Sequence, residues 1–316
     1  MRIVVAGSQG LVGTALVPEL IMRGHDVRRL VRREPRGAGE IGWDPDKGRL
    51  DPQDLEGTDA VVNLAGAGVG DHRLSPAYKR LVLSSRTRTT ALLSQTMAAL
   101  ATPPSVLLQA SGIGAYGTCA GRGDEVLDES ATLGDTFFAD VVRAWEGATA
   151  PAEDAGIRVV HLRTAIVLAP KGGALGRLLP IVRAGIGGPL GTGRQYWSWI
   201  SLPDEVGAVV HLLDAPVVGP VNMTSPNPAT NAEVTAALAR AVHRPAVIRV
   251  PGFAVRLVIG EFAQEILGSV RAIPGALTAT GFTWAHPTVA DVAAWVTDPR
   301  AVRDQGGGGR TTHPVG

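Results

Sequence analysis

One cysteine, Cys119, stands in 316 residues, so no disulfide can form within the chain and a reducing compartment is expected. As a lone thiol it reads as a small, partly buried side chain. Charge of one sign is also missing. The net charge is +1, with acids and bases interspersed, which excludes the clustered basic face that a nucleic acid needs. Long apolar runs are absent too. The run opening "MRIVVAGSQG" stops after five residues, too short for a secretory core or a membrane span. The oily stretch 246–260 is broken by Arg249, Pro251 and Arg256. A cytoplasmic protein bound to neither membrane nor nucleic acid is expected. The seven histidines show no H-x-x-x-H spacing and no cysteine partner, so no metal site is expected. There is no G-x-S-x-G nucleophile motif and no internal repeat.

Apolar residues make up 45% of the chain and charged residues 19%, enough for a sizeable core. Short apolar runs at 2–6, 26–31, 60–65, 105–110 and 158–163 read as strands. Helix-length patterns lie between them at 11–23, roughly 75–100 and 137–155. Such alternation predicts βαβ units and a parallel sheet covered on both faces. The second half is less regular. It holds a Gly-rich stretch (176–195), a helix from Pro203, a strand in "GPVNMTSP" (219–226), a helix over 230–241, a strand over 246–250 and two further helices. The tail 299–316 contains "GGGG" and no periodicity, which predicts disorder.

"VVAGSQGLVGTALVPEL" sets Gly7, Gly10 and Gly13 between the first strand and the first helix. Among 40 glycines the spacing alone is weak; its place in the chain supplies the specificity. Gly7 makes the tight turn, Gly10 lets backbone approach a pyrophosphate, and Gly13 lets helix pack on sheet. Arg32 and Arg33 follow the second strand with no carboxylate before Glu34. Guanidinium suits a 2′-phosphate, so NADP(H) is favoured over NAD(H). Two arginines on a solvated turn are the bland alternative.

"NLAG" (63–66), "ASGIGAYG" (110–117) and "GRQYWSWISLPDEVG" (193–207) occur in this order. With "LRTAIVLAPKGGAL" (162–175), "NMTSPNPATNAE" (222–233) and the spacing around Trp145 and Glu146, they resemble the extended short-chain dehydrogenases/reductases. The resemblance is nearest to an atypical, epimerase-like branch related to sugar-nucleotide epimerases, and it covers about residues 2–297. It implies an α/β fold: a Rossmann-type doubly wound parallel sheet with a smaller C-terminal substrate lobe. The sheet domain would be 1–165, completed by about 203–225, and the lobe 166–202 with 226–298. It further implies that Gly7, Ser8, Gln9, Gly10, Leu11, Val12 and Gly13 line the pyrophosphate, and that Arg32 and Arg33 meet the 2′-phosphate. Leu64, Ala65 and Gly66 would border adenosine and ribose, Ala110 and Ser111 the nicotinamide ribose, and Arg163 the far side of the nicotinamide. A homodimer is among the assemblies it implies.

The family's Tyr-x-x-x-Lys helix is where this sequence departs. Counting back from Glu146 sets Phe138 at the tyrosine position and Val142 at the lysine position. Phenylalanine has no proton to give, and valine has no charge to lower a tyrosine pKa. Ser111 and Tyr116 are the remaining hydroxyl candidates, each with a structural alternative. In the acidic stretch Asp124, Glu125, Asp128 and Glu129, the resemblance favours Glu129 as facing the site; a solvated loop is the plain alternative. Lys79, Arg80, Arg86 and Arg88 read as a solvated helix face from which Arg86 reaches the cofactor cleft. Arg194, with Gln195, is placed to clamp an anion, and Trp197 or Trp199 to stack on a ring or to pack between lobes. Two functions are expected to compete: an atypical NADP(H)-dependent oxidoreductase or epimerase-like enzyme acting on a small, anionic or sugar-nucleotide-like substrate, and a catalytically weak or inactive NADP(H)-binding sensor.

Overall fold

Ile3, Val4, Val5 and Ala6 are all fully buried. Successive strand side chains point to opposite faces, so the sheet that holds them is covered on both sides. Ile3 and Val5 join one core cluster with Leu16, Leu20, Val209 and Leu212. Val4 and Ala6 join another with Leu93, Met97 and Ala152. The computed structural model describes residues 1–118, 124–298 and 300–301. The expectations for Cys119 and for the tail fall on residues 119–123, 299 and 302–316, which lie outside the described residues.

The sheet has seven strands in the order β11 (Gly219–Met223), β7 (Arg158–Thr164), β5 (Val106–Gly112), β4 (Ala60–Asn63), β1 (Arg2–Ala6), β2 (Asp26–Val31) and β3 (Glu40–Gly42). Every pairing is parallel. The order runs outward in both directions from β1 and β4, which makes that junction the topological switch point of a Rossmann-type sheet. On one face lie α1 (Leu11–Met22) and α6 (Leu202–Asp214); on the other lie α2 (Pro76–Ala98), α3 (Phe137–Gly147) and α4 (Ala150–Asp154). The doubly wound sheet expected from the sequence is present.

Beyond β7 the chain builds a third core. Trp197 and Trp199 pack there with α5 (Gly173–Arg183), α7 (Asn231–Ala241) and α11 (Val289–Thr297). Short strand pairs stitch it together: β8 (Ile166–Leu168) with β10 (Trp199–Ser201), and β9 (Tyr196–Trp197) with β12 (Ala229–Thr230). A third pair, β6 (Val126–Leu127) with β13 (Arg271–Ala272), ties the loop after β5 to the C-terminal segment. That segment adds α8 (Gly252–Ile259), α9 (Ala263–Leu267) and α10 (Gly275–Ala279).

Two local expectations are corrected. The strand expected at 246–250 is an irregular stretch with one bridge, Leu190 to Val250, lying against the glycine-containing backbone of 188–191. The helix expected over 137–155 breaks after Gly147: Pro151 has no N–H to donate to the preceding turn, and Thr149 Oγ1 donates instead to the Glu146 carbonyl at 2.6 Å.

Gly13 is expected to be intolerant of a side chain, because a Cβ there would overlap the Gly7 carbonyl oxygen and the Ser8 backbone. Gly13→Ala should cost about 1–3 kcal/mol in urea unfolding. Gly10→Ala, whose Cβ would meet only the Gly7 oxygen at 3.4 Å, should stay within about 1 kcal/mol of wild type.

Candidate active site

The glycine turn brings β1, α1 and the end of β4 into contact. Gly7 holds a φ of +76°, and a Cβ on it would lie 2.6 Å from the Leu64 carbonyl carbon, so both conformation and space require glycine. α2, α3, α6, α7 and α11 each begin with a Ser or Thr side chain accepting a backbone N–H. α1 begins at exposed Gly10 with no side-chain cap, which leaves its first N–H groups to whatever lies in front of them. Leu11 also meets Gly173 from the loop after β8, whose Cβ would come within 3.1 Å. The turn from Gly7 to Gly13 thus leaves uncapped backbone N–H groups that could hold an anionic group such as a pyrophosphate.

At the end of β2 the two arginines separate. Arg33 forks onto Glu40 with two hydrogen bonds of 2.7 Å and holds that carboxyl down at about 2, helped by the Arg36 N–H. The guanidinium expected to meet a 2′-phosphate is thus engaged in an ion pair. Arg32 is exposed, with a loose 3.8 Å approach to Asp46.

A buried network joins α3 to β5 and β7. Ser111 and Arg163 are register partners on these strands. Ser111 Oγ donates to Glu146 Oε1 at 2.7 Å, and Arg163 donates to both Glu146 oxygens at 2.9 Å. Burial raises the Glu146 carboxyl, but the Arg163 and Ser111 hydrogen bonds outweigh it and the net shift is downward. Arg163 Nη1 continues to the Tyr116 hydroxyl at 3.2 Å, which donates to Asn222 Oδ1 at 2.8 Å.

Above the C-terminal ends of β5 and β7 lies a cavity of about 340 Å³, within the size range of small-molecule sites. Ser111 lines it, and so do Phe138, Val142 and Trp145 from α3. Arg86 of α2 reaches it from Gly66, stacked 4.8 Å from the Trp145 ring. Its Nη1 donates to the Ala67 and Val82 carbonyls. Among the described residues no carboxylate pairs with it, and burial lowers it to about 10, so it stays charged at neutral pH. The opposite wall comes from Tyr196, Trp197 and the C-terminal segment, where Phe262, Glu265 and Ile266 face inward.

Glue between these parts and a known family is found along most of the chain. The profile of the NAD dependent epimerase/dehydratase family matches residues 3–224. The chain belongs to that family. A domain family of unknown function matches residues 250–296 of this member. The chain is 44% identical to an epimerase family protein of Mycobacterium bovis over 297 residues, 93% of this chain and 97% of that one. The crystal structure of human epimerase family protein SDR39U1 with NADPH superposes with a TM-score of 0.85 at 34% identity, covering 94% of this chain and 99% of that one. A nucleoside-diphosphate sugar epimerase from Corynebacterium glutamicum gives 0.77 at 32% identity, over 96% of this chain and 64% of that one.

Within this family member several sequence-based assignments need correction. Tyr116 is fully buried in its hydrogen bonds, and Arg163 is held by Glu146 rather than lining the cavity. Glu129 accepts the Asn222 and Ala276 N–H groups at 2.9 and 3.2 Å, tying β11 to α10 away from the cavity walls. Arg194 is exposed outside the cavity, and Gln195 is buried with its amide on the Leu190 carbonyl. Trp197 does line the cavity, whereas Trp199 sits in the lobe core at 1% exposure. Glu265, in "GEFAQEIL", carries no motif that would have marked it. Among the described residues no group of three His, Cys, Asp or Glu is arranged to hold a metal, and no helix is long and apolar enough to cross a membrane.

Beneath the cavity wall, Thr164 donates to Glu205 Oε1 at 2.9 Å, while Glu205 Oε2 is buried with no partner among the described residues. Burial pushes this carboxyl up to about 8. The folded protein keeps its proton where an unfolded chain has released it, so stability falls as pH rises from roughly 4.5 towards 8. Thermal unfolding followed between about pH 5 and 8 should show Glu205→Gln losing this part of the slope, which is at most about 1.4 kcal/mol per pH unit. An unchanged slope would mean Glu205 is ionised when folded.

Proposed function

We propose that this chain binds NADP(H) and acts as an oxidoreductase or epimerase-like enzyme of atypical short-chain dehydrogenase type, on a small, anionic or sugar-nucleotide-like molecule. The carrying observation is the cavity at the ends of β5 and β7. It has the position of a Rossmann ligand site and is lined by Ser111, the carboxylate-free Arg86, Phe138 and Val142; counted back from Glu146, the last two stand for the family's Tyr–Lys dyad in this reading. NADPH in the crystal of human SDR39U1, at 34% identity, supports the choice of cofactor.

In this reading Gly7, Ser8, Gln9, Gly10, Leu11, Val12 and Gly13 hold the pyrophosphate against the open end of α1. Arg32 meets the 2′-phosphate. Leu64, Ala65 and Gly66 border the adenosine and its ribose, and Ala110 and Ser111 the nicotinamide ribose. When bound, the nicotinamide supplies or accepts a hydride at C4. Phe138, Val142 and Trp145 exclude water from the reacting face, and Arg86 holds an anionic substituent of the substrate. Without the dyad, the general acid/base assistance worth about 10²–10⁴-fold must come from another group. The rival reading, a sensor that binds NADP(H) without turnover, is favoured by the inert Phe138 and Val142.

Titration with NADPH and NADH, followed by nicotinamide fluorescence, should show preference for NADPH. Arg32→Ala should weaken NADPH by about tenfold or more and leave NADH unchanged; Arg33→Ala should do less, since that guanidinium is on Glu40. Equal, weak binding of both would overturn the cofactor assignment. Phe138→Tyr combined with Val142→Lys should alter NADPH affinity or its background oxidation; no change in either would remove these positions from the nicotinamide site.

A further inference from the structure

The cavity contains one carboxyl among its described lining residues, Glu265 of α9. It arrives from the C-terminal segment matched by the family of unknown function, on the wall opposite α3. Gly114 locates it. A Cβ on Gly114 would lie 3.1 Å from Phe138 Cβ and 3.9 Å from Glu265 Oε2. The carboxyl oxygen and the side chain at the tyrosine position thus approach the same point, just past the end of β5, from two sides. The carboxyl has no hydrogen-bond or ion-pair partner among the described residues, so its proton is not committed to a structural contact.

We propose that Glu265 is the proton donor and acceptor of this site, supplying from the C-terminal segment what residue 138 lacks. The inference rests on the NADP(H)-dependent reading above and adds the proton path to it. In the reducing direction a carbonyl oxygen of the substrate faces Glu265. As hydride from the reduced nicotinamide adds to the carbonyl carbon and the nicotinamide is oxidised, the π pair moves to oxygen. The carboxyl O–H bond breaks, and its proton bonds to that oxygen. The products are an alcohol and a Glu265 carboxylate, which regains a proton from water. The substrate class is therefore a small carbonyl compound, or the corresponding alcohol, whose anionic substituent reaches Arg86.

The surroundings suit this task. Burial pushes the Glu265 carboxyl up to about 7, where a group gives and takes protons efficiently near neutral pH. The other charged or titratable groups around it are Arg86 from α2, Tyr196 from β9 and Arg271 stacked on the Tyr196 ring at 4.7 Å. The Lys79–Glu261 pair lies beside α9, Glu146 and Arg163 are bound to each other beneath Ser111, and Arg256 of α8 is exposed. From α3 the cavity receives only Phe138, Val141, Val142 and Trp145. Tyr196 is the competing proton carrier, and a variant separates the two.

The test follows NADPH binding, NADPH oxidation with 9,10-phenanthrenequinone as carbonyl probe, and the infrared band of protonated carboxyls over roughly pH 5–9. Glu265→Gln, the neutral isostere, should bind NADPH as wild type does and oxidise it about 100-fold more slowly or worse. The wild-type rate and a carboxyl band absent from Glu265→Gln should fall together as pH rises through about 7. Tyr196→Phe should keep that profile. Glu265→Gln retaining the wild-type rate and pH limb overturns the role of Glu265. So does a wild-type protein that binds NADPH yet oxidises none of it with the quinone, or loss of the pH limb in Tyr196→Phe alone. Failure of wild type to bind NADPH at all overturns the cofactor reading instead.

Discussion

Two oxygens on Glu146 hold the site together. They accept Arg163 from β7 and Ser111 from β5, and Arg163 passes the chain of hydrogen bonds to Tyr116 and Asn222. Removing one partner of such a buried pair leaves an uncompensated charge and typically costs about 3–5 kcal/mol, so α3 cannot slide or rotate cheaply against the sheet. Val142 and Phe138 lie four and eight residues before Glu146. On a helix locked at Glu146 they fall on the same side, and both line the cavity. This stretch of α3 therefore presents an apolar wall to the cavity from a helix that is firmly placed.

This arrangement divides the site by origin. The Rossmann half contributes a glycine turn with an uncapped helix end, an exposed cation at the end of β2 and a serine held by Glu146. The C-terminal segment contributes the facing wall, and its α9 carries the only cavity-lining carboxyl among the described residues. Burial raises both Glu146 and Glu265, and their partners decide the net result. Glu146 has Arg163 and Ser111 to hold its charge, so it stays ionised and structural. Glu265 has no such partner among the described residues, so burial alone acts on it and lifts it to about 7.

Much of the fold was legible because its physics is local. A parallel sheet buried on both faces turns its strands into unbroken apolar runs, and the glycine spacing is demanded by backbone contacts at Gly7 and Gly13. The helix α3 was legible as well, from its start at Phe137, although it ends at Gly147 rather than running on to 155. What the sequence did not reveal depends on contacts between distant segments. Arg33 looked free until Glu40, seven residues on, folded back along β3 to take it. Tyr116 and Glu129 have the side chains of a catalytic pair, but both are engaged by Asn222, more than 90 residues further along the chain. Glu265 lies in a short helix with no motif, and only the folded chain sets it opposite Phe138.

A crystal structure with bound NADPH would test the arrangement most directly. The expected result has the pyrophosphate on the Gly7–Gly13 turn, the 2′-phosphate at Arg32, and the nicotinamide at the cavity between Ser111 and the Phe138–Val142 face, with Glu265 across from it. A nicotinamide lying outside that cavity, or a 2′-phosphate remote from Arg32, would contradict it.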